Sequence, residues 1–236
     1  MISSLFAFIT CVALSIPSAV IFIPLAMLTG DIMPLYHVSC FITRAGLWAA
    51  GVRVEVAGRE RIPANTACIF MATHVSNLDP PALIPMIPGR ISAFLKRSLM
   101  RIPALGYAMK LAEFIPVGRA GNAASAKKSV SAAVLLLAKG IHITTFVEGT
   151  RSPDGRLLPF KKGPFYLAME SGAPCIPVSI YGTETMMARG SARIHPGTAH
   201  IVFHPPILPG NYATREELSQ AVRAAIASGL PEWMQN

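Results

Sequence analysis

Hydrophobic and polar positions divide this chain into two unequal parts. Met1 to Gly30 contains no charged side chain, and from Val52 onward short apolar runs alternate with amphipathic stretches. As one helix the first part would be about 45 Å long, against a bilayer hydrocarbon core of about 30 Å. Pro17 and Pro24 fall inside it, and a proline removes a backbone donor and crowds the preceding turn. The pattern therefore predicts a kinked or re-entrant helix, then a second helix from about Pro34 to Ala50, two arms that dip into one leaflet. A transmembrane helix competes closely, although Ile2 to Ile16 alone gives only about 22 Å. A cleaved signal peptide fits less well, because no Lys or Arg precedes the run. A buried core helix seldom runs so long without a charge.

The second part reads as alternating strands and helices. Short runs rich in β-branched or aromatic residues predict strands at Val52 to Val56, Ala67 to Ala72, Ile91 to Leu95, Phe114 to Val117, Ile143 to Val147, Ile176 to Tyr181 and His200 to Phe203. Apolar stripes with Gly or Pro boundaries predict helices at Arg97 to Leu111, Ala123 to Lys139 and Gly163 to Ser171. Thr214-Arg215-Glu216-Glu217 is a capping box that opens a helix with Leu218, Val222 and Ile226 on one face. The expectation is an α/β fold: one domain at 51–236 with a mixed, largely buried sheet flanked by helices, preceded at 1–50 by the apolar helical arm.

Composition sharpens this picture. Hydrophobic residues make up 52% of the 236 and charged residues 14%, against about 25% charged in ordinary soluble domains. Cys11, Cys40, Cys68 and Cys175 show no paired spacing, which reads as reduced thiols in a cytosol-facing protein. Net charge is +9, and Arg90 to Lys162 holds thirteen Lys or Arg and three acidic residues, a local excess of ten that outweighs the whole. Such a field suits anionic headgroups or phosphorylated substrates. Nucleic acid fits poorly, because the basic residues are not interleaved with stacking aromatics. Tyr107, Trp48 and Trp233 have rings that suit a membrane interface, though packing is the commoner role for any one of them.

The chemistry concentrates in two stretches, Thr73-His74-Val75-Ser76-Asn77-Leu78-Asp79 and Phe146-Val147-Glu148-Gly149-Thr150-Arg151-Ser152. A histidine takes a proton near neutral pH, and a carboxylate nearby can fix its tautomer. An arginine after a glycine suits a phosphate, through its planar fork and an open backbone approach. The bland readings carry weight too. Asp79 precedes Pro80 and Pro81, so it could simply start a helix. One His and one Asp supply too few ligands for a metal, and no second cluster completes a set.

These stretches resemble the His-x-x-x-x-Asp and Phe-Pro-Glu-Gly-Thr-Arg-Ser motifs of the glycerolipid acyltransferases, the 1-acyl-glycerol-3-phosphate acyltransferase family. Glu113-Phe114-Ile115-Pro116-Val117-Gly118-Arg119 is similar to that family's second block, and Ala173-Pro174-Cys175-Ile176-Pro177-Val178 to its fourth. Leu95-Lys96-Arg97-Ser98-Leu99 and Phe160-Lys161-Lys162-Gly163 match the segments before block two and after block three. The resemblance covers roughly Val52 to Tyr181, with Thr73 in place of the usual asparagine and Val147 in place of the usual proline.

The resemblance implies acyl transfer from a thioester, on coenzyme A or acyl carrier protein, to the free sn-2 hydroxyl of 1-acyl-glycerol-3-phosphate, forming phosphatidate, without a resident cofactor. His74 would be the base, Asp79 its orienter, and Lys96, Arg119, Glu148, Gly149, Thr150 and Arg151 the polar end of the substrate site. Glu148 would repel a phosphate, so it should hold Arg151, Lys96 or a backbone amide instead. Work on membrane phospholipids at the cytoplasmic face of the inner or plasma membrane is expected. Another lysolipid acceptor such as lyso-ornithine lipid is the nearest alternative. A thioesterase would need no phosphate clamp, and a non-catalytic membrane-binding protein would need no His74 and Asp79 at this spacing.

Overall fold

A computed structural model describes residues 2–102, 104–117, 123–188 and 190–235. Two helices open the chain, α1 (Ile2–Thr29) and α2 (Met33–Ala49). Neither Pro17 nor Pro24 ends the first helix, because α1 runs through both. Both prolines are exposed, and each withdraws a single donor from a helix whose other turns continue on either side. Helix α2 crosses α1 closely at Gly46, where a Cβ would stand 2.5 Å from Cys11 Sγ. Tyr36 and Leu47 of α2 enter the core, and Arg44 donates to the Pro85 carbonyl at 2.8 Å. The outer face of α1 stays bare: Ile2, Phe8, Val20 and Leu28 are all more than half exposed. Helix α1 is long and apolar enough to cross a membrane.

All seven expected strands are present: β1 (Val52–Ala57), β2 (Ile69–Ala72), β3 (Ile91–Lys96), β4 (Ile115–Val117), β5 (His142–Phe146), β6 (Cys175–Tyr181) and β7 (Gly197–Phe203). Between and after them stand α3 (Asp79–Leu83), α4 (Leu105–Leu111), α5 (Ala123–Ala138), α6 (Gly163–Ser171), α7 (Thr183–Met186) and α8 (Arg215–Ser228). The strands form one mixed sheet in the order β1-β7-β6-β2-β5-β3-β4, parallel except for the antiparallel β6–β7 pair. Strand β2 lies at the centre, and all four of its residues are fully buried. Its side chains alternate between two layers as a pleated strand requires. Phe70 and Ala72 join Leu83, Ile180 and Phe203 on one face, while Ile69 and Met71 join Phe165, Leu167 and Leu218 on the other.

The helix expected over Arg97 to Leu111 is divided. A 3-10 segment covers Arg97–Arg101, Ile102 is extended at φ −74°, ψ 120°, and α4 begins only at Leu105. The sequence gives the reason, since a residue before proline is driven out of the helical region and Pro103 follows Ile102. The capping box forms as expected at α8. Thr214 Oγ1 accepts from the Glu217 amide at 3.2 Å, while Glu217 reaches back to the Ala213 amide at 3.0 Å. Leu218, Val222 and Ile226 are fully buried along its inner face.

That stripe anchors the C-terminal helix over the sheet. Leu218→Ala should destabilise the fold by about 2–5 kcal/mol, the usual cost of a core cavity. Chemical denaturation of the purified variant reads it as a lowered midpoint with an unchanged slope.

Candidate active site

The central strand β2 delivers its C-terminal end to the site. Thr73, next in the chain, is buried, and its hydroxyl donates to the Ile180 carbonyl at 3.2 Å and accepts from the Ile180 amide at 2.9 Å. Threonine in the place of the family's usual asparagine thus still ties the end of β2 to β6. His74 follows. Its Nδ1 lies 2.8 Å from Asp79 Oδ2.

Asp79 decides what His74 can do. The carboxylate is fully buried, and besides His74 its hydrogen-bond partners among the described residues are all donors. Oδ2 also accepts from the Val75 amide at 2.7 Å and the Ser76 amide at 2.8 Å, and Oδ1 accepts from the Thr183 hydroxyl at 2.5 Å. An ionised carboxylate only accepts, so the imidazole must carry its proton on Nδ1, which leaves Nε2 as the basic nitrogen. The helix-start reading of Asp79 holds for its position, since α3 begins there, but not for its side chain. Asp79 stands in α3, but no side-chain bond caps that helix, and the oxygens turn instead to the loop before it and to Thr183.

The turn after β5 supports the histidine from behind. Phe146 stacks on the imidazole with ring centroids 4.1 Å apart and planes 24° apart. Glu148 is 1% exposed, and its two oxygens accept from the backbone amides of His74 at 2.9 Å and Leu158 at 3.0 Å. Of the three partners expected for it, the structure shows the backbone amide. Burial pushes the Glu148 carboxyl above its ordinary range, partly offset by those two amides. The Ser152 amide donates to the His74 carbonyl at 2.8 Å, so both backbone groups of His74 are held by this turn. Val147, where the family usually has proline, uses its own amide to bond the Ala72 carbonyl at 3.1 Å.

His74, Lys96 and Gly149 line one cavity of about 540 Å³ whose other walls include Phe94, Val117, Val130 and Phe146. Gly149 has φ +67°, and a Cβ there would stand 2.9 Å from Lys161 Cγ. Glycine therefore both makes the turn and admits the lysine stem. Thr150 and Arg151 follow Gly149 but do not line this cavity. Arg151 Nη1 is buried with no hydrogen-bond partner among the described residues. Arg119 lies outside the described residues.

Three contributors were not singled out from the sequence. Lys161 lines the cavity and donates its amide to the Val147 carbonyl at 2.7 Å. Its signal was the Phe160-Lys161-Lys162-Gly163 block. Thr183 and the stacking role of Phe146 had none. Burial pushes the Cys68 thiol up to about 11 and the Cys175 thiol up to about 12, so neither presents a ready thiolate. Among the described residues no group of three His, Cys, Asp or Glu side chains could hold a metal.

Thr183→Val keeps the volume and removes the donor to Asp79. It should cost about 1–3 kcal/mol in thermal or chemical denaturation, because the buried Oδ1 is left without a partner. Thr183→Ser should recover most of that loss.

Comparison with known proteins agrees with the geometry. Residues 53–181 match the family described as Acyltransferase. A 1-acyl-sn-glycerol-3-phosphate acyltransferase from Limnanthes alba is 32% identical over 68% of this chain and 57% of its own length. The human 1-acyl-sn-glycerol-3-phosphate acyltransferase alpha is 32% identical over 66% of this chain and 56% of its own. The chain thus spans a little over half the length of these curated relatives. The crystal structure of the 1-acyl-sn-glycerophosphate (LPA) acyltransferase PlsC from Thermotoga maritima superposes with a TM-score of 0.86 at 26% identity, covering 98% of this chain and 94% of that one. With the motif histidine and aspartate in hydrogen-bond contact at the end of the central strand, the chain belongs to the acyltransferase family.

Proposed function

We propose that this protein transfers a fatty acyl group from an acyl thioester to the sn-2 hydroxyl of 1-acyl-glycerol-3-phosphate, forming phosphatidate for phospholipid synthesis. The observation that carries this reading is the His74–Asp79 pair at one wall of a largely apolar cavity. The relatives named as 1-acyl-sn-glycerol-3-phosphate acyltransferases support the choice of acceptor.

In this mechanism His74 Nε2 takes the hydroxyl proton as the lipid oxygen attacks the thioester carbonyl. The tetrahedral intermediate collapses to the new ester and expels the thiolate, which takes the proton back from Nε2. Asp79 stabilises the imidazolium formed between these steps and does not itself become protonated. The lipid hydroxyl is the nucleophile, so no protein nucleophile is acylated. Lys96 on the cavity wall stabilises the developing oxyanion. Arg151 and Arg119 take the acceptor phosphate, and the Nη1 of Arg151, without a partner among the described residues, supports its share of that role. Gly149 and Thr150 give the phosphate its backbone approach, while Glu148 holds the turn rather than the ligand.

The donor is acyl coenzyme A or acyl-carrier protein. Residues 1–50 attach the chain to a membrane through the bare face of α1, and residues 51–236 are the catalytic unit. The site faces the cytoplasmic side of the inner or plasma membrane, where such donors are made.

The test is product identification by mass spectrometry, with purified full-length protein, a panel of lyso-acceptors and both donor types. Phosphatidate from 1-acyl-glycerol-3-phosphate is the expected product. An acyl product from a different lysolipid alone would reassign the acceptor, and thiol release without an acylated lipid would make the protein a thioesterase.

Two substitutions sort the roles. His74→Ala should lower turnover by roughly 10²-fold to 10⁴-fold with the fold intact by circular dichroism, the usual share of a general base. Arg151→Lys keeps the charge and loses the fork, so steady-state kinetics should show a larger rise in KM for the phosphorylated acceptor than for the donor. Equal changes in both would remove Arg151 from the phosphate site.

A further inference from the structure

Beyond Lys96, the stretch from Arg97 to Lys110 carries charge and apolar surface that the proposed chemistry does not use. Leu99, Ile102, Leu105 and Tyr107 are exposed at 39%, 44%, 45% and 40%. A lone exposed apolar side chain is ordinary, whereas a contiguous group marks a contact surface. Arg97, Arg101 and Lys110 lie exposed among them, and no Asp or Glu occurs between Arg90 and Ala112. None of these three cations forms an ion pair among the described residues.

The position of this stretch says what it meets. Ala108 and Leu111 of α4, with Ala112 just after it, share one apolar cluster with Phe22, Ile23 and Ala26 of α1 and with Ile32 and Leu35. The Tyr107 hydroxyl donates to Met27 Sδ at 3.4 Å. The exposed residues therefore continue the bare face of α1, where Met27 and Leu28 are 60% and 86% exposed. At its other end the stretch follows Lys96, on the wall of the His74 cavity.

We propose that this shoulder is a second membrane contact, built for the headgroup layer of a bilayer containing acidic phospholipids. Leu99, Ile102 and Leu105 reach the acyl boundary, and Arg97, Arg101 and Lys110 meet anionic headgroups. The proposal rests on the reading of α1 as a membrane arm and adds to it a lipid preference and an orientation.

The experiment is flotation of the full-length protein with vesicles of phosphatidylcholine, alone or mixed with phosphatidylglycerol. It is read beside acyl transfer to a short-chain acceptor dissolved as monomer. Wild type should bind both vesicles and prefer the anionic ones. Arg97→Gln with Arg101→Gln should lose about 25-fold of that preference, about fivefold per cation, while binding phosphatidylcholine and serving the dissolved acceptor as before. Leu99→Ser with Ile102→Ser should weaken binding to both vesicles. A glutamine variant that keeps the full preference would overturn the shoulder and leave the arm standing. A wild type that ignores phosphatidylcholine vesicles would overturn the arm and the proposal with it. Unchanged vesicle binding in the serine variant, with a dimer turned to monomer in size-exclusion chromatography, would reassign the patch to self-association.

Discussion

A carboxylate with no access to water governs the architecture around the site. Burying an ionised group is costly unless its oxygens are satisfied, and Asp79 is satisfied by donors from three places: the His74 ring, the loop amides of Val75 and Ser76, and the Thr183 hydroxyl. Those donors belong to the end of β2 and to the start of α7 just beyond β6, strands that are neighbours in the sheet. The sheet order thus assembles the acceptor's shell from chain segments 104 residues apart. Once that shell exists, the imidazole has one tautomer and one orientation. The ring's free nitrogen is set by packing before any substrate arrives.

The second support works through Glu148. The turn after β5 could have turned its acid toward the cavity, where it would repel a phosphate. Instead the carboxylate is spent on two backbone amides, one of them that of His74. The same turn then offers a positive-φ glycine and an arginine whose Nη1 has no partner among the described residues. Parallel neighbours β2 and β5 bring His74 and this turn together, since both loops leave the carboxyl ends of their strands on the same side of the sheet. Such a crevice at the carboxyl ends of parallel strands is where α/β proteins commonly bind ligands.

Much of this was legible in the sequence. The strands were readable because strands buried on both faces appear as near-continuous apolar runs, as Ile69-Phe70-Met71-Ala72 does. Thr214 and Glu217 announced their cap because both partners lie within one turn. The misreadings were also local. Over Arg97 to Leu111 an apolar stripe and Pro103 give opposite signals, and the chain turns extended at Ile102, before the proline. At Pro17 and Pro24 the reverse held, and the long helix continued through them. Asp79 itself was ambiguous, because a helix start and a buried partner look alike in one dimension. Thr183 could not be found, since nothing in Tyr181-Gly182-Thr183 signals a bond to a residue so far back in the chain.

The central claim, that Asp79 fixes His74 as a base at Nε2, is open to direct measurement by nitrogen-15 NMR of the imidazole in the full-length protein. The account predicts at neutral pH a ring protonated at Nδ1, with a strongly deshielded proton shared with Asp79 and an unprotonated Nε2. In Asp79→Asn that deshielded resonance should vanish. A wild-type ring protonated at Nε2, with Nδ1 bare, would contradict the account.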